Sequence, residues 1–291
     1  MHYDLVFMSI TTYCHRQCRF CYVGGTATPA HKSLEQISLE LARAREVCDC
    51  DRIVFSGGEP TSHPGILHIM EMAQGLGFNR AELFANGQKL RSREFVDELV
   101  CRGLRGAMIS LHGSCADVHN PLVGERDFSY VLRGIETLLD AGVQVTVNTV
   151  AITANLEDII SIYQLIQNRF PNASNYRVTY PSIMGRLLKK TELIPSYEDV
   201  TRLIFSFLDD SNGVPLTCEL IPLCLLGSRV DIAVEYHHAG GKELAFGGVG
   251  SQYNRVGGKP CLKCPLRDRC YGLQMGAVLK HGVPSSYGRF T

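Results

Sequence analysis

The sequence lacks the features that would direct this protein to a membrane or out of the cell. No stretch approaches the ~18–20 uninterrupted apolar residues of a membrane-spanning helix. Residues 1–4 have neither the basic head nor the apolar run of a signal peptide. We therefore expect a cytoplasmic protein with no membrane association.

The charge balance lacks an excess of either sign. Lys plus Arg and Asp plus Glu number 29 each, so the formal net charge is zero. Proteins that bind duplex nucleic acid usually carry a basic excess, so a nucleic-acid partner is not expected, although an RNA-modifying enzyme stays open as an alternative. With 291 residues, 45% of them hydrophobic, the chain can bury the core of one α/β barrel domain with a small appendage.

Short β-branched or aromatic runs alternate with helical patterns along the first 210 residues. The predicted strands are 5–11, 52–56, 81–85, 107–111, 143–150 and 176–180, and the predicted helices are 33–48, 65–75, 92–102, 128–140, 155–169 and 197–209. Six strand–helix repeats predict parallel strands joined by right-handed crossovers, with ligands bound at the carboxyl ends of the strands. Beyond that the helical period fades, so we expect 211–291 to be a C-terminal extension rather than a seventh unit.

Twelve cysteines, half of them in two clusters, are the most informative residues of the sequence. Three lie within eight residues near the start, and three within ten residues near the end. Because there is no export signal, this clustering indicates metal or iron–sulfur binding in a reducing compartment rather than disulfides. Cys48, Cys50 and Cys101 lie in or beside predicted helices, and we expect them to be structural thiols that pack as small hydrophobes.

The first cluster, Cys14, Cys18 and Cys21, has the spacing C-x3-C-x2-C on a loop directly after the first predicted strand. Three thiolates can hold three irons of a cubane [4Fe–4S] cluster and leave the fourth iron open, which is what a metal needs in order to bind a substrate. A zinc site and three unrelated thiols are the alternatives. Zinc motifs favour paired C-x2-C units, and no second pair lies within the following 25 residues.

With Phe20 at its aromatic position, the first cluster resembles the signature of the radical S-adenosylmethionine (SAM) superfamily, C-x3-C-x-φ-C. The resemblance implies a partial (β/α)6 barrel over 1–210, in which Cys14, Cys18 and Cys21 hold a [4Fe–4S] cluster and Phe20 lies near the adenine of SAM. In that superfamily the open iron chelates the amino and carboxylate groups of SAM. An electron from the cluster cleaves the sulfonium, and the resulting 5′-deoxyadenosyl radical takes a hydrogen atom from the substrate.

Gly57, Gly58 and Glu59, with the proline that follows, end the second predicted strand and resemble the superfamily motif that binds the SAM amino group. Paired glycines permit positive φ and close backbone approach. We therefore expect the main chain here to donate hydrogen bonds to a ligand, and the Glu59 carboxylate to accept from an ammonium group. An ordinary turn is the alternative.

Polar residues at the ends of later strands complete the expected SAM site. Ser110 and Asn148 resemble residues that the superfamily places near the SAM ribose and carboxylate, with Asn86 as a further candidate. Caps and turns are the alternative for these three. Arg186 is expected either to pair with a carboxylate of SAM or substrate, or to be solvated at the surface.

Three cysteines near the C-terminus have the spacing C-x2-C-x5-C: Cys261, Cys264 and Cys270. They resemble the shortened SPASM, or twitch, extensions that carry one auxiliary [4Fe–4S] cluster. Gln274 stands where the full SPASM pattern has a further cysteine, so one auxiliary cluster is expected rather than two. Cys224 is our preferred fourth ligand and Cys218 the next, and a four-cysteine zinc site is the alternative.

Thiols outside the two clusters bear on the reaction. Cys115 follows the fourth predicted strand at the active-site end. It is a candidate donor of a hydrogen atom to a substrate radical, a step that inverts a stereocentre. Cys218 is the competing candidate, and an inert thiol is the alternative for Cys115.

Together these features predict a radical SAM enzyme that abstracts hydrogen from a peptide or small natural-product substrate, with epimerisation, oxidation and crosslinking all open. The resemblance also implies a reductant such as flavodoxin or ferredoxin. Because the chain begins almost on the first strand, we expect no N-terminal leader-peptide recognition domain. The alternative from another class is a non-catalytic iron–sulfur or zinc protein that serves as a scaffold or electron carrier.

Overall fold

A parallel sheet forms the frame of the computed structural model, which describes residues 3–24, 28–208, 213–237, 242–246, 255–256 and 258–288. Its eight strands are β1 (Tyr3–Thr11), β2 (Arg52–Gly57), β3 (Arg80–Ala85), β4 (Leu104–Ser110), β5 (Gln144–Val150), β6 (Asn175–Thr179), β7 (Leu216–Glu219) and β8 (Lys242–Phe246). Their order is β7-β6-β5-β4-β3-β2-β1-β8, and every neighbouring pair is parallel.

Helices connect the successive strands and cover the outside of the sheet. Those between β1 and β7 are α1 (Leu34–Val47), α2 (Ile66–Gly75), α3 (Arg93–Cys101), α4 (Ala116–Val123), α5 (Phe128–Asp140), α6 (Ile159–Arg169) and α7 (Tyr197–Leu208). The C-terminal part adds α8 (Val234–His237), the antiparallel pair β9 (Arg255–Val256) and β10 (Leu273–Gln274), and α9 (Met275–His281). Across the described residues no helix is both long and apolar enough to span a membrane.

The alternation of residues in β1 shows how the sheet separates its packed face from its open face. Val6 and Met8 are fully buried and belong to the same core as Ile37 of α1, each contributing roughly 1.5–3 kcal/mol by its burial. Leu5 and Phe7 line a central cavity instead. Because successive side chains of a strand point to opposite faces, one face of the sheet packs on helices and the other encloses the cavity.

The predicted fold class, a partial (β/α)6 barrel, is confirmed, but the sheet is larger than predicted. β7 and β8 both come from beyond residue 210, so the region expected to be an extension rather than a seventh strand–helix unit adds two strands to the sheet. β7 has only four residues, which is too short for a period-2 pattern to be evident. β8 pairs with β1, and no local pattern reveals a contact between the two ends of a chain.

The three cysteines expected to pack as free thiols behave differently. Cys48 and Cys50 are joined in a disulfide, and Cys101 is free but exposed, so that expectation is wrong. Cys48 is the C-cap of α1, and Cys50 follows in the segment that leads to β2. Their Cα atoms are 5.5 Å apart, a separation that a disulfide spans.

Candidate active site

The first cysteine cluster lies in the loop after β1, at the carboxyl edge of the sheet. Cys14, Cys18 and Cys21 are free and partly buried, and all three line one cavity of about 600 Å³. Burial, with a smaller effect from the Glu59 charge, raises the pKa of Cys14 to about 11, and burial raises the pKa of Cys18 to about 12. A metal binds the thiolate form of cysteine, so uptake of a metal by this loop would release protons.

A buried ion pair fixes the cluster loop to the rest of the barrel. Arg16 Nε donates to Asp127 Oδ2 over 2.7 Å, and Arg16 Nη2 donates to the Asn86 carbonyl over 3.0 Å. Both side chains of the pair are nearly inaccessible to solvent. The N–H groups of Gln17 and Arg19 donate to carbonyls at the end of α4. These contacts fix the backbone that carries the three cysteines.

The Gly57-Gly58-Glu59 turn packs against the chain's own cluster loop. The N–H groups of Gly58 and Glu59 donate to the carbonyls of Thr11 over 2.7 Å and Tyr13 over 2.8 Å. A Cβ atom at Gly57 would lie 2.0 Å from the Thr11 oxygen, and one at Gly58 would lie 2.2 Å from the Tyr13 oxygen. The glycines do permit close backbone approach, but the expectation that these N–H groups serve a ligand is wrong because they already have partners.

The buried carboxylate of Glu59 ties the end of β2 to the end of β3. It accepts from the Thr61 N–H over 3.0 Å and from the Asn86 N–H over 2.7 Å, and it also accepts from the Thr61 hydroxyl. Glu59 and Asn86 both line the cavity. An ionised carboxylate has about four acceptor positions, so Glu59 retains capacity for one further donor.

Ser110 and Asn148 lie side by side on the cavity wall. They are register partners on β4 and β5, and both line the cavity. Asn148 Oδ1 accepts from the Thr179 hydroxyl on β6 over 2.7 Å. The two strand-end residues that the sequence singled out therefore meet at one edge, as parallel strands require.

Arg177 and Glu219, which sequence reasoning missed, extend this polar wall onto β6 and β7. Arg177 Nη1 lies 3.4 Å from Glu219 Oε2 and 3.5 Å from Met108 Sδ. Arg177 Nε is buried without a partner among the described residues. A guanidinium has five N–H donors, so this incompletely satisfied group is able to bind an anionic group of a ligand. The available signal was the inward alternation of Arg177 and Thr179 along a predicted strand.

Arg186 holds the cluster loop from the opposite side. Its N–H donates to the Cys21 carbonyl over 3.0 Å, Nη1 to the Cys18 carbonyl over 3.1 Å, and Nη2 to Gln17 Oε1 over 2.5 Å. Gly185 has a φ of +57°, and a Cβ there would lie 2.5 Å from the Cys21 oxygen. Arg186 lines the cavity and is engaged by the loop, which argues against the solvated alternative.

Phe20 and His112 form an aromatic side of the cavity. Their ring centroids lie 4.7 Å apart in an edge-to-face arrangement. Burial, with a smaller effect from His119, lowers the pKa of His112 well below its ordinary value, so the ring is neutral. Its Nδ1 accepts from the Val150 N–H over 3.3 Å, which leaves Nε2 as the protonated nitrogen. Sequence reasoning missed His112, although it follows Ser110 closely.

The two candidate hydrogen donors lie away from the cavity. Cys115 is exposed at the N-cap of α4, and Cys218 is fully buried on β7. Neither is among the described residues that line the cavity, whereas Glu219 is. Because neighbouring residues of a strand face opposite sides, Cys218 faces away from the cavity. The structure therefore brings neither thiol to the expected position.

A second cavity, of about 280 Å³, brings together the four cysteines that the sequence favoured as a ligand set. They are Cys224, Cys261, Cys264 and Cys270. A zinc ion needs its ligands about 2.0–2.3 Å from one point, and the described His, Cys, Asp and Glu side chains form no such group. The four thiols are also candidate ligands of a cubane cluster, in which each thiolate binds a separate iron. Tyr271 lines both cavities.

Hydrogen-bond donors surround the thiols of this four-cysteine cavity. Cys270 Sγ accepts from the Leu223 N–H over 3.4 Å and from the Gly272 N–H over 3.3 Å. The Tyr287 hydroxyl lies 2.7 Å from Cys261 Sγ. Such contacts to ligand sulfurs are among the ways a protein sets the potential of an iron–sulfur cluster.

Gln274 joins the C-terminal part to the barrel. Its Nε2 donates to the Pro181 carbonyl over 2.9 Å, and its Oε1 accepts from the Ile183 N–H over 2.8 Å. Its backbone N–H donates to the Tyr197 hydroxyl over 3.1 Å. The position where the full SPASM pattern has a cysteine is therefore occupied by a buried amide with satisfied polar groups.

Relatives of this chain match about two thirds of its length. A probable GTP 3′,8-cyclase of Saccharolobus islandicus is 26% identical over 184 residues, which are 63% of this chain and 59% of that protein. An AdoMet-dependent heme synthase of Oleidesulfovibrio alaskensis is 28% identical over 213 residues, which are 70% of this chain and 53% of that protein. The chain thus spans little more than half the length of these relatives.

Solved structures share the fold of this chain, and a family model identifies its superfamily. Streptococcus suis SuiB bound to S-adenosylmethionine aligns with a TM-score of 0.68 at 17% identity, covering 99% of this chain and 76% of that one. SuiB bound to its precursor peptide SuiA also aligns at 0.68, with 15% identity, covering 96% of this chain and 73% of that one. At such identities the likeness shows the fold alone. The Radical SAM superfamily model matches residues 8–166, more than half of the sequence, and the chain therefore belongs to the radical SAM superfamily.

Proposed function

We propose that this protein is an enzyme that reductively cleaves SAM and abstracts a hydrogen atom from a peptide or small natural-product substrate. The observation that carries the proposal is the cavity at the carboxyl edge of the sheet. The three cysteines of the first cluster and the residues expected to hold SAM all line it. Membership of the superfamily supports the same chemistry, because the superfamily uses a [4Fe–4S] cluster and SAM.

The residues of the first site fit that pair of cofactors. Cys14, Cys18 and Cys21 would hold three irons and leave the fourth open to the cavity. When bound, the cluster and SAM supply the electron and the 5′-deoxyadenosyl radical. Arg16, a residue of the loop, is anchored by its side chain on Asp127, and Arg186 donates to carbonyls of the loop. These contacts would keep the three thiols in place while SAM enters and products leave.

The walls of the cavity present groups that match the parts of SAM. Glu59 has acceptor capacity for the amino group, and Ser110 and Asn148 supply polar atoms for the ribose or carboxylate. Phe20 offers an apolar ring for the adenine, and the neutral His112 ring lies against it. Aromatic faces and a few fixed polar groups are the usual composition of a small-molecule site.

The four-cysteine cavity supports an auxiliary [4Fe–4S] cluster and hence a SPASM/twitch-like assignment. Cys224, Cys261, Cys264 and Cys270 would be its ligands. In this assignment 1–210 is the radical SAM barrel and 211–291 the auxiliary extension, whose β7 and β8 also join the barrel sheet. Four thiolates leave no iron open. This favours electron transfer from a substrate-derived radical over direct substrate binding.

The substrate class follows from the size and polarity of the first cavity. At about 600 Å³ it lies within the roughly 300–1,000 Å³ of ligand pockets, which suits a small molecule or one side chain of a peptide together with SAM. Arg177 and Glu219 add a charged pair opposite the cluster loop. The precursor peptide bound to SuiB supports a peptide, and the names of the two relatives support a small molecule. Flavodoxin or ferredoxin would supply the electrons.

Anaerobic reconstitution, followed by reduction with dithionite in the presence of SAM, tests the proposal. We expect 5′-deoxyadenosine to form, and iron and sulfide to reach about eight of each per chain, as two cubane clusters require. The Cys18→Ala variant should form none above the enzyme-free background, because it lacks one of the three cluster ligands. Cys101→Ala, which removes an exposed thiol, is the matched control and should behave like the unaltered chain.

Two outcomes would contradict the proposal in different ways. A chain that holds its clusters but forms no 5′-deoxyadenosine is a scaffold or electron carrier rather than a radical enzyme. A chain that binds one cluster and one zinc ion has a structural C-terminal extension. In that second case the SAM chemistry stands and only the auxiliary cluster is lost.

A further inference from the structure

We propose that the Tyr287 hydroxyl donates a hydrogen bond to the Cys261 thiolate and thereby raises the reduction potential of the auxiliary cluster. This role rests on the proposed function, since it requires that the four cysteines hold that cluster. Tyr287 is a tuning residue in this scheme, because it acts through Cys261 and touches neither SAM nor substrate.

The direction of the hydrogen bond follows from the chemistry of the hydroxyl and the thiolate. Tyr287 Oη lies 2.7 Å from Cys261 Sγ and accepts from the Gly258 N–H over 3.1 Å. Gly258 donates to the oxygen and therefore does not compete for the phenolic hydrogen. A thiolate bound to iron has no hydrogen of its own, so Tyr287 donates and Cys261 accepts.

The surrounding backbone holds the hydroxyl in this position. The Tyr287 N–H donates to the Pro284 carbonyl over 3.0 Å. The next residue, Gly288, has a φ of +77°, and a Cβ there would lie 2.3 Å from the Pro260 side chain. Tyr287 and Gly288 both line the four-cysteine cavity, so the chain turns tightly here and presents the phenol to the ligand sulfur.

Tyr287 differs in kind from the donors to Cys270. Leu223 and Gly272 donate from their backbone N–H groups, which no substitution other than proline removes. The Tyr287 donor is a side-chain hydroxyl, and phenylalanine removes it while keeping the ring. The contribution of one hydrogen bond to the cluster potential is therefore directly measurable in this chain.

The sign of the effect follows from charge. The reduced cluster carries one more negative charge than the oxidised cluster, and hydrogen bonds to charged acceptors are the stronger ones. A donor at a ligand sulfur therefore stabilises the reduced form more and raises the potential. A higher potential favours transfer of one electron from a substrate-derived radical to the cluster, and the radical also loses a proton to become a closed-shell product.

The test uses the full chain with Cys14, Cys18 and Cys21 all replaced by alanine, so that only the auxiliary cluster is present. Its midpoint potential is measured by redox titration with dithionite, in which electron paramagnetic resonance reports the fraction of reduced cluster. Adding Tyr287→Phe should lower the one-electron reduction constant about tenfold, which corresponds to about 59 mV, at unchanged iron content. Tyr236→Phe is the matched control, because its ring contacts Arg269 and it does not line the cavity.

A second measurement covers the case in which Tyr287→Phe fails to retain its cluster. Site-specific 3-fluorotyrosine at position 287 keeps the ring and the hydroxyl but makes the phenol a stronger donor, so the potential should rise. The role of Tyr287 is overturned if a variant that retains its cluster, either Tyr287→Phe or the 3-fluorotyrosine chain, has the same potential as the parent chain. A parent chain that binds no iron–sulfur cluster overturns the auxiliary cluster itself, and the two failures are thus distinguishable.

Discussion

The two cysteine sites differ in the volume of the cavity that their sulfur atoms line. Three thiols of the first site share a cavity of about 600 Å³ with polar and aromatic side chains, whereas four thiols of the second surround a cavity of about 280 Å³. Three ligands leave one iron of a cubane open, and four leave none. On the proposed function, the ligand count and the free space together separate a site for bond cleavage from a site for electron transfer.

The two sites are also supported by carboxyl groups in opposite states. Burial opposes the ionisation of Asp127, but its contacts with His119 and Arg16 outweigh burial and lower its pKa. Burial, with the nearby charge of Glu219, raises the pKa of Glu235 to about 8. The first loop is therefore anchored by a charged carboxylate, and the segment leading to the second site by a carboxyl group that is mostly neutral at pH 7.

The largest expected effect distinguishes the two candidates for the fourth auxiliary ligand. Cys224→Ala should lower the iron content from about eight to about four per chain, as loss of one cubane requires. It should still cleave SAM, because Cys14, Cys18 and Cys21 are intact, but turnover that needs the auxiliary cluster should stop. Cys218→Ala should keep both clusters, since Cys218 does not line the four-cysteine cavity. Loss of iron from Cys218→Ala alone would reverse the assignment.

The second largest expected effect tests the buried Arg16–Asp127 ion pair, which anchors the loop of the first site. Asp127→Asn leaves Arg16 buried with a weaker partner, and breaking a buried ion pair costs about 3–5 kcal/mol. The free energy of unfolding of the metal-free chain, measured with urea, should fall by this amount. Asp97→Asn removes one partner of the exposed Arg93–Asp97 pair and should cost less than about 1 kcal/mol.

The pH dependence of the same pair has a definite sign. The folded pKa of Asp127 is lowered, so its stabilisation is fully present above the unfolded value of about 3.9 and is lost as the pH falls through the folded value. In the urea measurement, an equal loss of unfolding free energy in Asp127→Asn and Asp97→Asn would show that the buried pair does not anchor the loop.

Local patterns predicted the parts of the fold that local physics decides. Short β-branched or aromatic runs mark the strands β1 to β6, and the cysteine spacings lie within short segments, so both are evident from sequence alone. Ser33, a residue type that favours helix N-caps, likewise caps α1: its Oγ accepts from the Gln36 N–H over 3.1 Å. In each case the interacting residues lie within a few positions of one another.

Contacts between distant residues account for what sequence reasoning missed. Arg16 and Asp127 are 111 residues apart, and Tyr287 lies 26 residues from Cys261. Nothing in the sequence distinguishes Arg177 from the other arginines as the partner of Glu219, because this contact depends on the pairing of β6 with β7. Such contacts depend on how the elements pack, and no spacing rule along the chain selects one partner among 29 basic residues.

The smallest expected effect tests the neutral carboxyl group near the second site. Glu235 accepts from the Leu220 N–H at the end of β7, and its other oxygen is buried without a partner among the described residues. The folded pKa of about 8 lies above the unfolded value of about 4.3. Between these values the native state holds a proton that the unfolded state has released, so stability falls as the pH rises.

From pH 6 to pH 7 this one group should cost the metal-free chain about 1 kcal/mol of unfolding free energy. Glu235→Gln keeps the size of the side chain and an acceptor for the Leu220 N–H, but it does not titrate. Its unfolding free energy should therefore decline by about 1 kcal/mol less over the same interval. Glu46→Gln, an exposed position on α1, is the control and should decline as the unaltered chain does. An unchanged decline in Glu235→Gln would mean that Glu235 is already ionised at pH 6, and the contrast with Asp127 would then disappear.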